Sequence, residues 1–215
     1  CRIGQQLVHA VPRTLHGGDI SSYFQLTGDR HPLASSTELA RSLGFQREGL
    51  PDRLVFHIVF GKSCVDIPHN ATANLGYDDV RLVRPVYPGD TLVAETEVIG
   101  LREVSSGEAG VVYVRTRGTN QKGQEVLSFI RWVMVPKRDA TAARGVNQVP
   151  PLPSVVTPDR LPVPEVMNLQ RFPDLAWAMP PGAVWDAYQL GERLDHPDAM
   201  TVDETDHVQA TRLYH

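Results

Sequence analysis

Cysteine is scarce in this 215-residue chain: Cys1 and Cys64 are its only two, and no C-x-x-C pair occurs. That excludes a disulfide framework and a cysteine-based zinc site, and a reducing cytoplasm is the expected compartment. Cys64 sits in an apolar stretch and reads as a small core residue. Long hydrophobic runs are missing too. The longest candidate, Leu54 to Phe60, already contains His57 and falls far short of the roughly 18 residues of a membrane span, so no membrane association is expected. Neither sign of charge dominates: 25 acidic and 21 basic residues leave a net charge of −4, dispersed along the chain. Without a basic stripe to hold a phosphate backbone, nucleic acid is not an expected partner. What is there, at 41% hydrophobic residues, is an ordinary globular composition with enough material for a core. The chain opens at Cys1 rather than Met. Truncation explains this better than lipid modification, because Ile3 to Val11 already has structural patterning where a lipid anchor would be followed by a polar tether.

The end of the chain repeats its beginning. A shift of 187 positions brings Gly4 onto Gly191, Leu7 onto Leu194, His9 onto His196, Thr14 onto Thr201, Asp19 onto Asp206 and Leu26 onto Leu213, without a gap. So long a period indicates two copies of one domain, since solenoid repeats run to about 20–50 residues. On this reading the counterpart of Asp29 is position 216, one residue past His215.

Gln6 to Arg13 predicts a first strand, and Gly17-Gly18-Asp19 a turn and cap for a helix over Ile20 to Leu26. Thr27 to Ser36 is polar and predicts a loop. Leu54, Val55, Phe56, Ile58, Val59, Phe60 and Val65 occupy every side of a helix running to Asp66, and a helix apolar all round is a buried one. Beyond it the period becomes two. Val80 to Arg84, Leu92 to Ile99, Val111 to Arg117 and Val126 to Val135 predict four strands in meander order, separated by turns rich in Gly, Pro, Asn and Ser. The expected fold class is α+β: an antiparallel sheet wrapped around a central helix. Ten of the 17 prolines fall between Pro136 and Pro181, which predicts an extended connector. The expected division is residues 1–138 for a first domain, 139–183 for a Pro-rich linker and 184–215 for the incomplete beginning of a second. Within the last, a strand should resume near Trp185, and Asp203 or Thr205 should cap a helix carrying Val208 to Tyr214.

Two motifs carry a family resemblance. Y-F-Q-L-T-G-D-R-H-P-L from Tyr23 to Leu33 and R-P-V-Y-P-G-D-T-L from Arg84 to Leu92 resemble the hotdog-fold hydratases of the MaoC type. L-V-F-H-I-V-F-G-K, N-L-G-Y, V-V-Y-V-R-T-R-G-T-N-Q, I-R-W-V-M-V-P-K-R-D and the closing A-T-R-L-Y are similar to the mesaconyl-CoA hydratase (β-methylmalyl-CoA dehydratase) branch of that family. The resemblance implies a double hotdog longer than this chain. It also implies a hydro-lyase that adds water reversibly across the double bond of a branched α,β-unsaturated acyl-CoA such as mesaconyl-CoA. No metal or redox cofactor is implied, coenzyme A being part of the substrate. The implied partners are the acyl-CoA and a second hotdog, in the same chain or in a homo-oligomer. Such chemistry needs donors aimed at the thioester oxygen as it becomes enolate-like, and an acid and a base within reach of one water. The family supplies the latter as an Asp or Asn and a His five residues later.

In the first copy Asp29 holds the carboxylate position, but Ala34 stands where the His belongs, and a methyl group shuttles no proton. Asp29 and His31 are therefore candidates for a rearranged catalytic pair, set against a reading of Asp29 as a turn or cap residue. The second reading makes copy one a degenerate hotdog that shapes the substrate cavity, with the working His in the second copy. His57 is either a satisfied core histidine or a substrate-binding residue facing the acyl pocket. Lys62, Arg81 and Arg84 are candidates for CoA phosphates or plain surface charges. Two other functions stay open: a non-catalytic acyl-CoA-binding hotdog subunit, and a hotdog thioesterase with Asp66 as its carboxylate.

Overall fold

The computed structural model describes residues 1–67, 69–139, 141, 145, 147–171, 185–197 and 199–215. The chain opens with strand β1 (Gln6–Thr14) and helix α1 (Gly17–Thr27). Gly17, Gly18 and Asp19, expected as a turn and cap, are instead the first residues of the helix: His16 is the N-cap, and the Asp19 carboxylate accepts its backbone N–H at 2.7 Å. The helix ends at Gly28, whose φ of 66° is the left-handed conformation that glycine adopts without a Cβ penalty. The polar segment read as a loop contains a one-turn helix, α2 (Pro32–Ser35), and leads into α3 (Thr37–Ser42). Ser36 caps α3 by accepting the Leu39 N–H at 3.2 Å, while Leu39 and Leu43 bury its inner side.

Helix α4 (Asp52–Cys64) is the predicted central helix. The antiparallel strands β2 (Ala73–Leu82), β3 (Thr91–Glu103), β4 (Ala109–Thr119) and β5 (Glu125–Pro136) follow, and the sheet order is β1-β3-β4-β5-β2. Leu54, Val55, Ile58 and Val59 of α4 pack on Leu92, Ala94, Leu127 and Phe129 of the sheet, all nearly or fully buried. Each such side chain contributes about 1.5–3 kcal/mol of burial, so this contact is the main reason the sheet curls around the helix. The α+β expectation holds.

The meander expectation needs one correction. Only β3, β4 and β5 follow one another as neighbours; β2 lies at the far edge, paired with β5. The segment after β2 crosses the end of the domain instead of turning back in a hairpin. It is pinned on the way by Val83 N–H to Val126 O, Leu50 N–H to Val86 O and Gly89 N–H to Leu15 O, at 3.0, 2.8 and 2.7 Å. Strand β2 also begins earlier than Val80. Its residues Asn74, Asp78 and Asp79 hide its character from an apolar-period search, because an edge strand keeps one side in solvent.

Helix α5 (Glu204–Tyr214) has the same 11-residue length as α1 and sits 187 positions later. Asp203 and Asp206 form its capping box as the counterparts of His16 and Asp19, and Gly4 and Gly191 share a left-handed φ of 79° and 84°. The counterpart of β1 does not form. The strand expected near Trp185 is a short 3-10 turn, Trp185–Ala187, and the described residues between it and α5 are exposed and unpaired into any ladder. A strand needs a neighbour for its backbone groups, and among the described residues nothing plays for copy two the part that β3 plays for β1. The expected boundary at 183/184 lies outside the described residues. The described linker is docked on the first domain: Gln148 bridges Leu101, Met167 packs on Leu39 and Leu43, and Asn168 donates to Leu43 O at 2.7 Å.

Candidate active site

A cavity of about 400 Å³ opens where the loop after α1 meets the start of α4. Asp29, His31, Ala34, Asp52, Arg53 and Arg84 line it, and Pro162 and Pro164 of the linker close one side. Its position follows from local structure. Gly28 turns the chain out of α1, Pro51 precedes the first turn of α4, and the bond from Leu50 to Val86 holds that turn against the connector carrying Arg84. The first N–H groups of α4 have no partner within the helix, which suits an anionic or strongly polarised oxygen.

Asp29 and His31 share this cavity, and the contacts of the Asp29 carboxylate are with backbone. The Asp29 carboxylate accepts the His31 backbone N–H at 2.9 Å, and the Asp29 N–H donates to Thr27 Oγ1 at 3.1 Å. These are the bonds of an Asx turn. Ala34 is buried in the place of the family's His. The carboxyl that responds to the cavity is Asp52, at the first turn of α4. Although its surface reaches solvent, the protein around it pushes its pKa above the ordinary carboxylate value, and nearby His31 partly offsets the rise. Nothing in the sequence pattern marked Asp52, because only the fold brings the start of α4 against the His31 loop.

His57 does not line this cavity. Its ring stacks on Tyr214 of α5, with centroids 4.4 Å apart and planes 20° from parallel. Burial first, and then the Arg53 charge, lower its pKa and favour the neutral imidazole. Two further devices seat α5. Gly61 leaves room for the Tyr214 carbonyl, which a Cβ there would overlap, and Arg13 donates to Leu213 O at 2.6 Å while pairing with Asp19 at 2.8 Å. A cation at the last carbonyls of a helix also complements its dipole. Among the other candidates, Lys62 donates to Val11 O, Arg81 pairs with Asp79 at 2.6 Å, and Arg84 alone lines the cavity. His196 and His207 are exposed.

Two buried polar groups lie outside the cavity. His9 joins Asp66 at 2.5 Å through Nδ1 and Thr96 at 2.6 Å through Nε2, and Thr96 meets Thr116 at 2.9 Å. Asp66, the carboxylate a thioesterase would need, is thus occupied in tying α4 to β1. Arg131 on β5 is fully buried, donates from Nη2 to Ser63 Oγ at 2.9 Å, and leaves Nε and Nη1 without a partner. The period-two pattern held a signal for it: Phe129, Arg131 and Val133 share one register, so a charge stands in an otherwise inward-facing row.

Comparison with known proteins places these features in context. A family model for mesaconyl-CoA hydratase matches residues 1–175. The mesaconyl-CoA hydratase of Cereibacter sphaeroides is 48% identical over 213 residues, which are 99% of this chain and 62% of that protein. The β-methylmalyl-CoA dehydratase of Chloroflexus aurantiacus is 49% identical over 213 residues, 99% of this chain and 60% of its own. The solved structure of a MaoC domain protein dehydratase from Chloroflexus aurantiacus matches with a TM-score of 0.86 and 47% identity, covering 100% of this chain and 60% of that one. A Mycobacterium tuberculosis protein with a double hotdog fold matches with a TM-score of 0.61 and 29% identity, over 67% of this chain and 45% of that one. The sheet wrapped on α4 is accordingly a hotdog. The chain spans about three fifths of the length of the curated relatives it matches.

Proposed function

We propose, from the premise that this chain belongs to the mesaconyl-CoA hydratase family, that it is part of a hydro-lyase. The reaction is the reversible addition of water across the double bond of a branched α,β-unsaturated acyl-CoA such as mesaconyl-CoA. The observation that carries the details is the seating of α5. It reproduces α1 at an offset of 187 and ends on the central helix of the first hotdog, with Tyr214 against His57 and Gly61.

The Asx turn at Asp29 and the methyl group at Ala34 leave the first copy without the base that the reaction requires. Its contribution is then the walls: the cavity, the start of α4 and the aromatic surface beside α5. The carboxylate or amide expected at position 216 and a His near 221 would act as acid and base from the second copy. Residues 1–138 would form the first hotdog and 139–183 the linker, with the second hotdog beginning at 184. No cofactor beyond the CoA of the substrate is required by this chemistry. Pairing of two hotdogs, within one chain or between copies, and a cytoplasmic location complete the proposal. Among the described residues no helix is long and apolar enough to cross a membrane.

The test is hydration of mesaconyl-CoA, followed by loss of the enoyl-thioester absorbance, by residues 1–215 and by the full-length gene product. Activity is expected only in the latter. Hydration by residues 1–215 that disappears on Asp29→Asn would overturn the assignment of the chemistry to the second copy, and no hydration by either would remove the hydratase reading.

A further inference from the structure

Arg131 is the only Arg, Lys, Asp or Glu among the described residues that is buried. Its solvent-accessible surface is nil, yet no carboxylate meets it. Ser63 Oγ takes one N–H at 2.9 Å, the Cys64 thiol is within reach as a weak acceptor, the Phe60 ring lies under the guanidinium carbon at 4.7 Å from its centroid, and burial keeps the thiol and the nearby Tyr77 phenol neutral. Nε and Nη1 remain without acceptors. A buried guanidinium in this condition is costly, and one that persists in a fold is normally answered by an anion.

We propose that Arg131, supported by Ser63, receives the free carboxylate of the substrate and so selects a dicarboxylic acyl-CoA over a simple enoyl-CoA. This rests on the hydratase reading above. Mesaconic acid has two carboxyl groups, and its CoA ester retains one as a carboxylate. Nε and Nη1 lie on different edges of the planar guanidinium, each edge completed by Nη2, so a carboxylate would take one of these free nitrogens together with the second N–H of Nη2, and the surrounding low dielectric strengthens the pair. The location agrees. Arg131 lies next to the edge strand β2, where Tyr77 opposes it in register and is 41% exposed. Phe60 and Tyr77 belong to one aromatic cluster with Phe56 and Phe129, and Tyr77 is its solvent-facing member. The end of α5 rests on Gly61, on the same helix as Phe60.

The experiment compares mesaconyl-CoA with 2-methylcrotonyl-CoA, which has a methyl group in place of the carboxylate, using the full-length gene product. Arg131→Met should lower kcat/KM for mesaconyl-CoA by about 100-fold or more while leaving 2-methylcrotonyl-CoA within about threefold or improved, because a site built for a charge loses selectivity with it. Arg131→Lys should fall between. The Met variant removes an unpaired buried charge and should fold; if it does not, Ser63→Ala keeps the charge, and about a tenfold loss confined to mesaconyl-CoA is expected from losing one supporting hydrogen bond. Parallel losses on both esters, or none on mesaconyl-CoA, would refute the carboxylate role and leave the hydratase reading intact. A wild-type protein that hydrates neither ester would instead bring down the reading on which the proposal stands.

Discussion

The imidazole of His57 and the phenol ring of Tyr214, 157 positions apart in sequence, form a stack with centroids 4.4 Å apart. Through it the helix that restarts the repeat is attached to the helix at the centre of the first hotdog. A residue that the sequence left as either a core histidine or a wall of the acyl pocket thus forms part of the joint between α4 and α5. The neutral form favoured at His57 suits a ring packed face to face on another ring.

If that joint holds α5, loosening it should free α5 and little else. Tyr214→Ala removes the stack, worth about 0.5–1.5 kcal/mol beyond area burial. Gly61→Ala gains up to about 1 kcal/mol of helix propensity but sets a methyl group against the Tyr214 carbonyl. Hydrogen exchange over residues 204–214 should quicken in both variants, while amides of β3 to β5 keep their protection. Unchanged exchange in α5 would show that the stack does not hold it.

The His9 network should matter for stability rather than turnover. His9→Ala leaves the Thr96 hydroxyl with Thr116 as its remaining partner and separates Asp66 from β1, an expected loss of about 1–3 kcal/mol in urea unfolding; Asp66→Asn, at the part-exposed member of the pair, should cost about 1 kcal/mol. A full-length Asp66→Asn protein should still hydrate its substrate. Abolished activity with normal unfolding would return Asp66 to the catalytic candidates.

The raised pKa of Asp52 gives a pH test with a definite sign. A carboxyl whose folded pKa lies above its unfolded value of about 3.9 contributes stability that is complete below that pH and is lost as the pH rises through the folded value. Asp52→Asn removes the ionisation. The variant should match the wild type in strong acid and exceed it in stability at neutral pH, as read from unfolding midpoints across that range. A difference that does not vary with pH would contradict the burial effect.

Asp29→Ala separates turn from catalysis. Losing the carboxylate that accepts the His31 N–H should cost about 0.5–2 kcal/mol, in the range of cap and turn side chains. Mesaconyl-CoA hydration by the full-length product should fall by less than about threefold, since a general base contributes about 10²–10⁴. A loss in that larger range would restore Asp29 to the mechanism.

The sequence showed its buried parts most clearly. The central helix and three inner strands each leave a mark of period, because burial of a face forces apolar residues into register, whereas the mostly exposed proline connector shows by composition alone. The edge strand β2 was legible only from Val80 onward, since exposed Asn74 and part-buried Asp78 and Asp79 interrupt any apolar alternation. The short helices α2 and α3 were missed because one or two turns hold too few residues to show a period.

The candidate site divided in the same way. Asp29 and Ala34 could be read from the motif, as could the proposal that the working base lies outside the first copy. The repeat at 187 was visible as six coincidences, and of the two caps the sequence offered for α5, Asp203 and Thr205, the structure uses Asp203. Which groups meet across the molecule was decided by the tertiary structure alone. Asp52 beside His31, Asp66 on His9, Tyr214 on His57 and a fully buried Arg131 with two idle N–H groups all join separate elements. A linear pattern records how each residue suits its own helix or strand, whereas the crossing of β2 to the far edge and the docking of α5 determine which side chains share a dielectric and a hydrogen bond.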